Sequence, residues 1–165
     1  MGINQSLLAE LQQEAPTTRK LLERVPAAAL AWKPHDKSMT LGRLASHVAE
    51  LTGWISVTID TPELDLDSIK TTGMNSSSAQ EILESFDANL VKASESLKAV
   101  TDQQLMETWR LRKGERVLLE LPKIAVLRGV VFNHLIHHRG QLSVYLRLQD
   151  VPLPSIYGPT ADEPF

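Results

Sequence analysis

The chain has 165 residues, which is enough for one domain with a sizeable hydrophobic core, and we expect residues 1–165 to form a single domain. Its net charge of −3 argues against nucleic acid as a partner, because phosphate binding requires a basic face. The absence of cysteine excludes disulfides, thiolate metal sites and a cysteine nucleophile, which leaves His, Asp and Glu as strong metal ligands. Neither a signal-peptide pattern nor a membrane-spanning apolar run is present, so we expect a cytoplasmic protein without a membrane partner.

Two helices are predicted in the N-terminal half. The first covers residues 4–25, where apolar side chains recur every three or four positions, and Pro16 predicts a kink or a break within it. After a proline-containing connection, Thr40 is a candidate N-cap for the second helix. One face of that helix carries the stripe Leu41, Leu44, His47, Val48, Leu51 and Ile55.

A long polar connection, residues 60–78, follows the second helix. Its length allows a crossover between helices that are not antiparallel neighbours. Ser78 followed by Glu81 is typical of a capping box and predicts a third helix to about Val100. Alternating apolar residues at 107–121 predict a short hairpin, and a helical pattern then extends from Pro122 to about residue 149.

These elements predict the fold class. Four amphipathic helices with a minor β-hairpin before the last helix are typical of an all-α four-helix bundle. The long connection after the second helix makes a simple up-down-up-down order the less favoured topology.

Three histidines lie on the predicted inward faces. His134 and His138 are four residues apart, so they share one helix face and can hold one ion. His47 lies on the apolar stripe of the second helix, which predicts a metal site with three nitrogen ligands and an open position. The alternatives are ordinary core or boundary histidines, or a metal-free hydrogen-bonded network.

The two other histidines are weaker candidates. His137 shares its face with polar neighbours, so we expect it beside the site or in solvent. His35 lies in a loop near Pro34 and is interpreted as a turn residue, with a place at the mouth of the site as the alternative.

Three further polar residues have open roles. Glu50 lies one turn beyond His47 and is a candidate catalytic residue: it could orient a ligand imidazole or act as a base, or it could be a solvated carboxylate. Arg139 and Gln141 flank the histidine face, where they could fix a neighbouring helix, a subunit interface or an anionic substrate group. The sequence does not choose among these roles.

Familiar catalytic motifs are absent. Leu135 occupies the position where zincin proteases require Glu, and neither a G-x-S-x-G elbow nor a P-loop is present. The Glu-x-x-His pairs of di-iron bundles are also missing. What remains is one mononuclear site.

Several segments resemble the DinB-like (damage-inducible) family of metal-binding four-helix bundles. They are "TRKLLERVP", "WKPHDKSMTLGRLASHVAEL", "NHLIHHRGQLSVYLRL" and "YGPTADE". The resemblance implies a divalent ion, Zn²⁺ or Ni²⁺ most readily, held by His47, His134 and His138. It also implies a long crossover, frequent homodimers and, in the wider superfamily, enzymes that use low-molecular-weight thiols.

We therefore expect a metal-dependent enzyme, either a thiol-dependent S-transferase or a hydrolase, that acts on a small electrophilic substrate. Because the chain has no cysteine, any thiol must enter as a cosubstrate. The alternative is a non-catalytic, metal-stabilised dimeric bundle that acts as a sensor or scaffold.

Overall fold

Long helices make up most of the structure, a computed structural model that describes residues 2–68 and 78–164. The last of them has three parts, of which the middle is π-helical. The helical elements are α1 (Ile3–Glu23), a 3₁₀ turn (Ala27–Ala29), α2 (Leu41–Asp60), α3 (Ala79–Ala99), α4 (Asp102–Leu105), α5 (Lys123–Ala125), the π-helical stretch (Val126–Phe132) and α6 (Asn133–Leu148).

Side-chain caps start α2 and α3 where the sequence predicts them. Thr40 Oγ1 accepts the backbone N–H of Arg43 at 3.2 Å, and Ser78 Oγ accepts that of Glu81 at 3.1 Å. α1, by contrast, continues through Pro16, so the predicted break does not occur. The residues of α1 beside Pro16, namely Glu14, Ala15 and Thr18, are buried. The free energy gained by this packing offsets the roughly 3 kcal/mol that a proline costs inside a helix.

α2 and α3 are parallel neighbours. Asn89 Nδ2 donates to the Ala49 carbonyl at 3.1 Å, and nearer the C-terminal ends Ser96 Oγ donates to Asp60 Oδ2 at 2.8 Å. The later residue of α2 contacts the later residue of α3, so the two helices point in the same direction. The connection between them, of which residues 69–77 lie outside the described part, therefore returns the chain to the end where α2 began.

α1 runs antiparallel to α3. Arg19 Nε lies 2.9 Å from Asp87 Oδ1 near the start of α3, and Asn4 Nδ2 donates to the Leu97 carbonyl at 3.2 Å near its end. α1 packs on α3 and α6, while α2 packs on α3 and the last helix. The order around the bundle is thus α1, α3, α2, α6.

The last helix runs antiparallel to α2. His47 near the start of α2 faces His134 in α6, whereas the Ile59 carbonyl near the end of α2 accepts from Lys123 Nζ in α5. The four long helices therefore run up, down, down and up. This confirms the predicted four-helix bundle and the expectation that it is not a simple up-down-up-down bundle.

A small sheet lies beside the bundle, with strand order β1 (Glu63–Asp65), β2 (Thr108–Lys113) and β3 (Arg116–Pro122). β2 and β3 form the predicted antiparallel hairpin, whose turn places Gly114 at a φ of 56°. β1 pairs parallel with β2 and was not predicted, since residues 60–78 are mostly polar and rich in turn formers. Side-chain contacts hold it: Arg112 binds Glu63 Oε1 at 2.8 Å.

The core contains two hydrophobic clusters, one at each end of the bundle. Leu135 belongs to one cluster, while Val131 and Phe132 belong to the other, so His134 lies where the two meet. Among the described residues, no helix is both long enough and apolar enough to cross a membrane.

Arg139 is a buried charge that ties the last helix to α1, with only 1 % of its surface exposed. Its Nη2 lies 2.6 Å from Glu14 Oε2, and its Nη1 donates to Thr18 Oγ1 at 3.0 Å. The guanidinium stacks 4.9 Å from the ring centre of Tyr157, whose hydroxyl donates to Glu14 Oε2 at 2.8 Å. Of the roles left open by the sequence, Arg139 therefore fixes a neighbouring helix, and it also holds the C-terminal segment.

Replacing Arg139 by Met should lower the free energy of unfolding by about 3–5 kcal/mol, because Glu14 would remain buried without its cation. Equilibrium urea unfolding measures the loss. The matched control is Arg128→Met, which removes an exposed pair with Glu10 and should cost at most about 1 kcal/mol. Similar small losses in both variants would contradict a stabilising role for the buried pair.

Candidate metal centre

Three imidazoles from two helices converge at the middle of the bundle. His47 comes from α2, and His134 and His138 come from successive turns of α6. His47 Nε2 lies 3.4 Å from His134 Nε2, which in turn lies 2.7 Å from His138 Nε2. One ligand atom from each residue lies within 4.8 Å of the others. The structure thus brings together the three residues that the helical stripes select.

These distances fit a single metal ion. Two nitrogens that lie about 2.1 Å from a tetrahedral Zn²⁺ are about 3.4 Å apart, which matches the separation of His47 and His134. The closer pair, His134 and His138, would have to separate by about 0.7 Å to reach that spacing. A set of neutral imidazole donors suits borderline divalent ions such as Zn²⁺ and Ni²⁺.

The remaining ring nitrogens of the α6 pair have their own partners. His138 Nδ1 donates to Gln141 Oε1 at 2.6 Å, and the His134 ring is hydrogen-bonded to the backbone of Val130. Each bond favours the tautomer with the proton on the outer nitrogen, which directs the Nε2 lone pair towards the other histidines. Gln141, whose role the sequence left open, therefore orients a candidate ligand.

Glu50 lies behind the third imidazole. His47 Nδ1 is buried and makes no hydrogen bond within the described part of the chain, and it faces Glu50 Oε2 at 3.7 Å. Arg43 Nη1 approaches the same carboxylate oxygen at 3.4 Å. This placement favours an orienting role for Glu50.

Burial keeps the α6 histidines neutral. Desolvation lowers the pKa of His138 to about 4, with smaller effects from the neighbouring imidazoles. Burial also lowers the pKa of His134, helped by the nearby His47. Neutral imidazole is the form that binds metals, so the site is ready to bind at neutral pH.

The other two histidines are not part of the cluster. His137 is exposed, and its ring centre lies 4.9 Å from that of His138, so it borders the site without entering the ligand group. His35 is an exposed loop residue whose Nδ1 accepts the backbone N–H of Lys37 at 3.1 Å. It is a turn residue, as interpreted from the sequence.

The π-helical stretch Val126–Phe132 immediately precedes the two α6 histidines. Sequence reasoning missed it, because its apolar residues also fit an ordinary helical stripe. Such widened turns are frequent next to functional sites. Here the stretch separates the part of the helix that carries Lys123 from the part that carries His134.

The fold and the histidine cluster define a class: a four-helix bundle with an up-down-down-up topology and a three-histidine group that could hold a divalent ion between two of its helices. The sequence profile of the DinB family matches residues 1–164. The chain belongs to the DinB family.

Individual relatives agree with this assignment. The chain is 30 % identical over 155 residues to the uncharacterized protein YrdA of Bacillus subtilis (strain 168), covering 91 % of this chain and 85 % of that protein. A crystal structure of a DinB-like protein from Bacillus cereus ATCC 10987 superposes with a TM-score of 0.72 at 23 % identity, covering 93 % of this chain and 97 % of the other. The DinB-like protein YjoA of Bacillus subtilis gives a TM-score of 0.71 at 19 % identity, covering 92 % and 97 %. At these identities the two structures show a shared fold.

The lowered histidine pKa values predict how the metal-free protein responds to acid. An unfolded histidine titrates near about 6.5, so between that pH and about 4 the unfolded chain binds more protons than the folded one. Stability should therefore fall as the pH decreases from 7 to 4. Urea midpoints in the presence of a chelator measure this dependence. The decrease in stability with falling pH should be shallower in His138→Gln than in the wild type, and in His35→Gln it should equal that of the wild type. An equal slope in the wild type and both variants would contradict a contribution from His138.

Proposed function

We propose that this chain is a metal-dependent enzyme that activates a low-molecular-weight thiol or water for attack on a small electrophile, as an S-transferase or a hydrolase. One observation carries the proposal. Three imidazoles converge, and within residues 2–68 and 78–164 no fourth His, Asp or Glu joins their group. Three protein ligands are typical of catalytic sites, whereas structural sites usually supply four.

When bound, a divalent ion supplies Lewis acidity, which favours the deprotonated form of a nucleophile near neutral pH. Residues of the protein keep the candidate ligands in a form that can bind the ion. Burial keeps His134 and His138 unprotonated, and Gln141 fixes the His138 ring through its Nδ1–H. The chain has no cysteine, so a thiol nucleophile would enter from solution.

We further propose that Glu50 orients His47. In this role Glu50 accepts a hydrogen bond from His47 Nδ1–H, which keeps the Nε2 lone pair directed towards the cluster. Arg43, at 3.4 Å from the Glu50 carboxylate, limits the movement of that carboxylate. Support comes from the 3.7 Å separation and from the lack of another partner for His47 Nδ1 among the described residues. Glu50 remains a candidate for proton transfer as well.

Elemental analysis of protein that has never contacted a nickel resin tests the metal site. We expect about one Zn²⁺ or Ni²⁺ per chain, and loss of most of it in His47→Ala and His134→Ala. His35→Ala is the matched control, because it removes an exposed histidine outside the cluster and should retain the metal. A metal-free wild type, even after incubation with Zn²⁺ and Ni²⁺, would refute the site and the enzyme together.

Cobalt substitution separates an enzyme from a metal-stabilised scaffold. Adding 2-mercaptoethanol to the Co²⁺-loaded protein should produce a thiolate-to-cobalt charge-transfer band and a change in the visible spectrum, because an exchangeable position accepts the thiol. The band should saturate with thiol concentration, and 2-methoxyethanol should not produce it. An unchanged spectrum would instead support the sensor or scaffold alternative, in which the ion only stabilises the bundle.

A further inference from the structure

A polar cavity lies at the end of the bundle where α2 and α3 finish. It has a volume of about 360 Å³, within the range of small-molecule sites. The C-terminal ends of α2 and α3 form its walls, with α4 and the start of the last helix beside them. Its lining includes Ile59, Asp60, Ser96, Val100, Gln104 and Lys123.

The cavity is remote from the histidine cluster. At 1.5 Å per residue, the helical stretch from His47 to Asp60 spans about 20 Å, and that from Lys123 to His134 about 16 Å. A molecule in the cavity would not reach the imidazoles. Whatever binds there is thus independent of the proposed metal chemistry.

Lys123 brings a buried positive charge to one wall, with only 6 % of its surface exposed. Its Nζ donates to the Ile59 carbonyl at 2.6 Å, and Glu107 Oε2 lies farther away at 4.0 Å. The carbonyl ends of two parallel helices favour a cation at this place. An ammonium group has three N–H donors, however, so these contacts leave a donor for the cavity.

The opposite charge lies in the same cavity. Asp60 Oδ2 accepts the Ser96 hydroxyl at 2.8 Å, which leaves its other carboxylate oxygen available. Gln104 Oε1 is occupied by the backbone N–H and hydroxyl of Thr101, both at 3.0 Å, so its amide nitrogen is the group left to donate. Among the described residues, Asp60 and Lys123 form no ion pair with each other, although both line the cavity.

We propose that this cavity binds a small zwitterion of the amino-acid class. Its carboxylate accepts hydrogen bonds from Lys123 Nζ and the Gln104 amide, and its ammonium group donates to the free oxygen of Asp60. The carbon chain between them lies on the apolar floor near Val100. Lys123 and Asp60 are not paired with each other, and the carboxylate that Lys123 does approach, Glu107, lies 4.0 Å away. A ligand that carries both charges matches both groups, which a simple anion or a simple cation would satisfy only in part.

The test is an NMR titration of the full chain labelled with ¹⁵N. Glycine and 4-aminobutanoate are the two-charge probes, and butanoate and butylamine are the single-charge controls. We expect saturable shifts of the Ala99 and Val100 amides with at least one two-charge probe, and binding about tenfold weaker or more with both controls. Equal binding of butanoate would overturn the zwitterion assignment, and no saturable shift with either two-charge probe at tens of millimolar would overturn the site.

Three variants link the binding to the named groups. Asp60→Asn keeps an acceptor for the Ser96 hydroxyl but removes the charge, and it should weaken binding of the two-charge probe about tenfold or more. Lys123→Met should have a similar effect, while Lys92→Met, an exposed position on α3 outside the cavity, should have none. Asp60→Asn decides the matter if Lys123→Met fails to fold, and unchanged affinity in Asp60→Asn would refute the proposal.

Discussion

The parallel packing of α2 against α3 determines where the functional groups of this bundle lie. A tight turn after α2 would have made α3 antiparallel to it, whereas a parallel neighbour requires the chain to travel back along a helix of about 30 Å. The long connection makes that return, and the last helix then runs antiparallel to α2, with His47 opposite His134. The same arrangement brings two helix carbonyl ends together, and Lys123 lies against one of them.

The last helix carries two buried cations, Lys123 and Arg139, together with two of the three clustered imidazoles. Lys123 binds the end of α2, His134 and His138 face His47 near the start of α2, and Arg139 binds α1 through Glu14. A polar group inside a low-dielectric core is stable only when its partners are in place. Directional polar contacts therefore join the last helix to both α1 and α2. They restrict its position more than apolar packing alone would. Such precise placement is what a cluster of metal ligands requires.

Local sequence patterns predicted the features that depend on local physics. Thr40 and Ser78 marked helix starts because a hydroxyl cap acts within three residues, and the pairing of His134 with His138 follows from helix periodicity. Other features depend on distant partners, which local patterns do not reveal. The partner of Arg139 is Glu14, 125 residues away in the chain, and the three residues of β1 form a strand beside β2, where Arg112 binds Glu63. The role of Glu50 stayed open for the same reason, since it depends on how Arg43 and His47 share its carboxylate.

The π-helical stretch Val126–Phe132 has a consequence for how this helix tolerates change. A widened turn holds one residue more than an α-helical turn, so it sets the rotational phase between the segments on either side of it. Apolar exchanges of similar volume within the stretch leave that phase unchanged. Deleting one residue from the stretch would let it close into a regular α-helix and keep Lys123 and His134 near their present directions. Deleting one residue from an α-helical part of the same helix would rotate the two ends by roughly 100° relative to each other, given 3.6 residues per turn. The π-helical stretch is therefore the place where this helix can lose a residue and still present both Lys123 and His134 to α2.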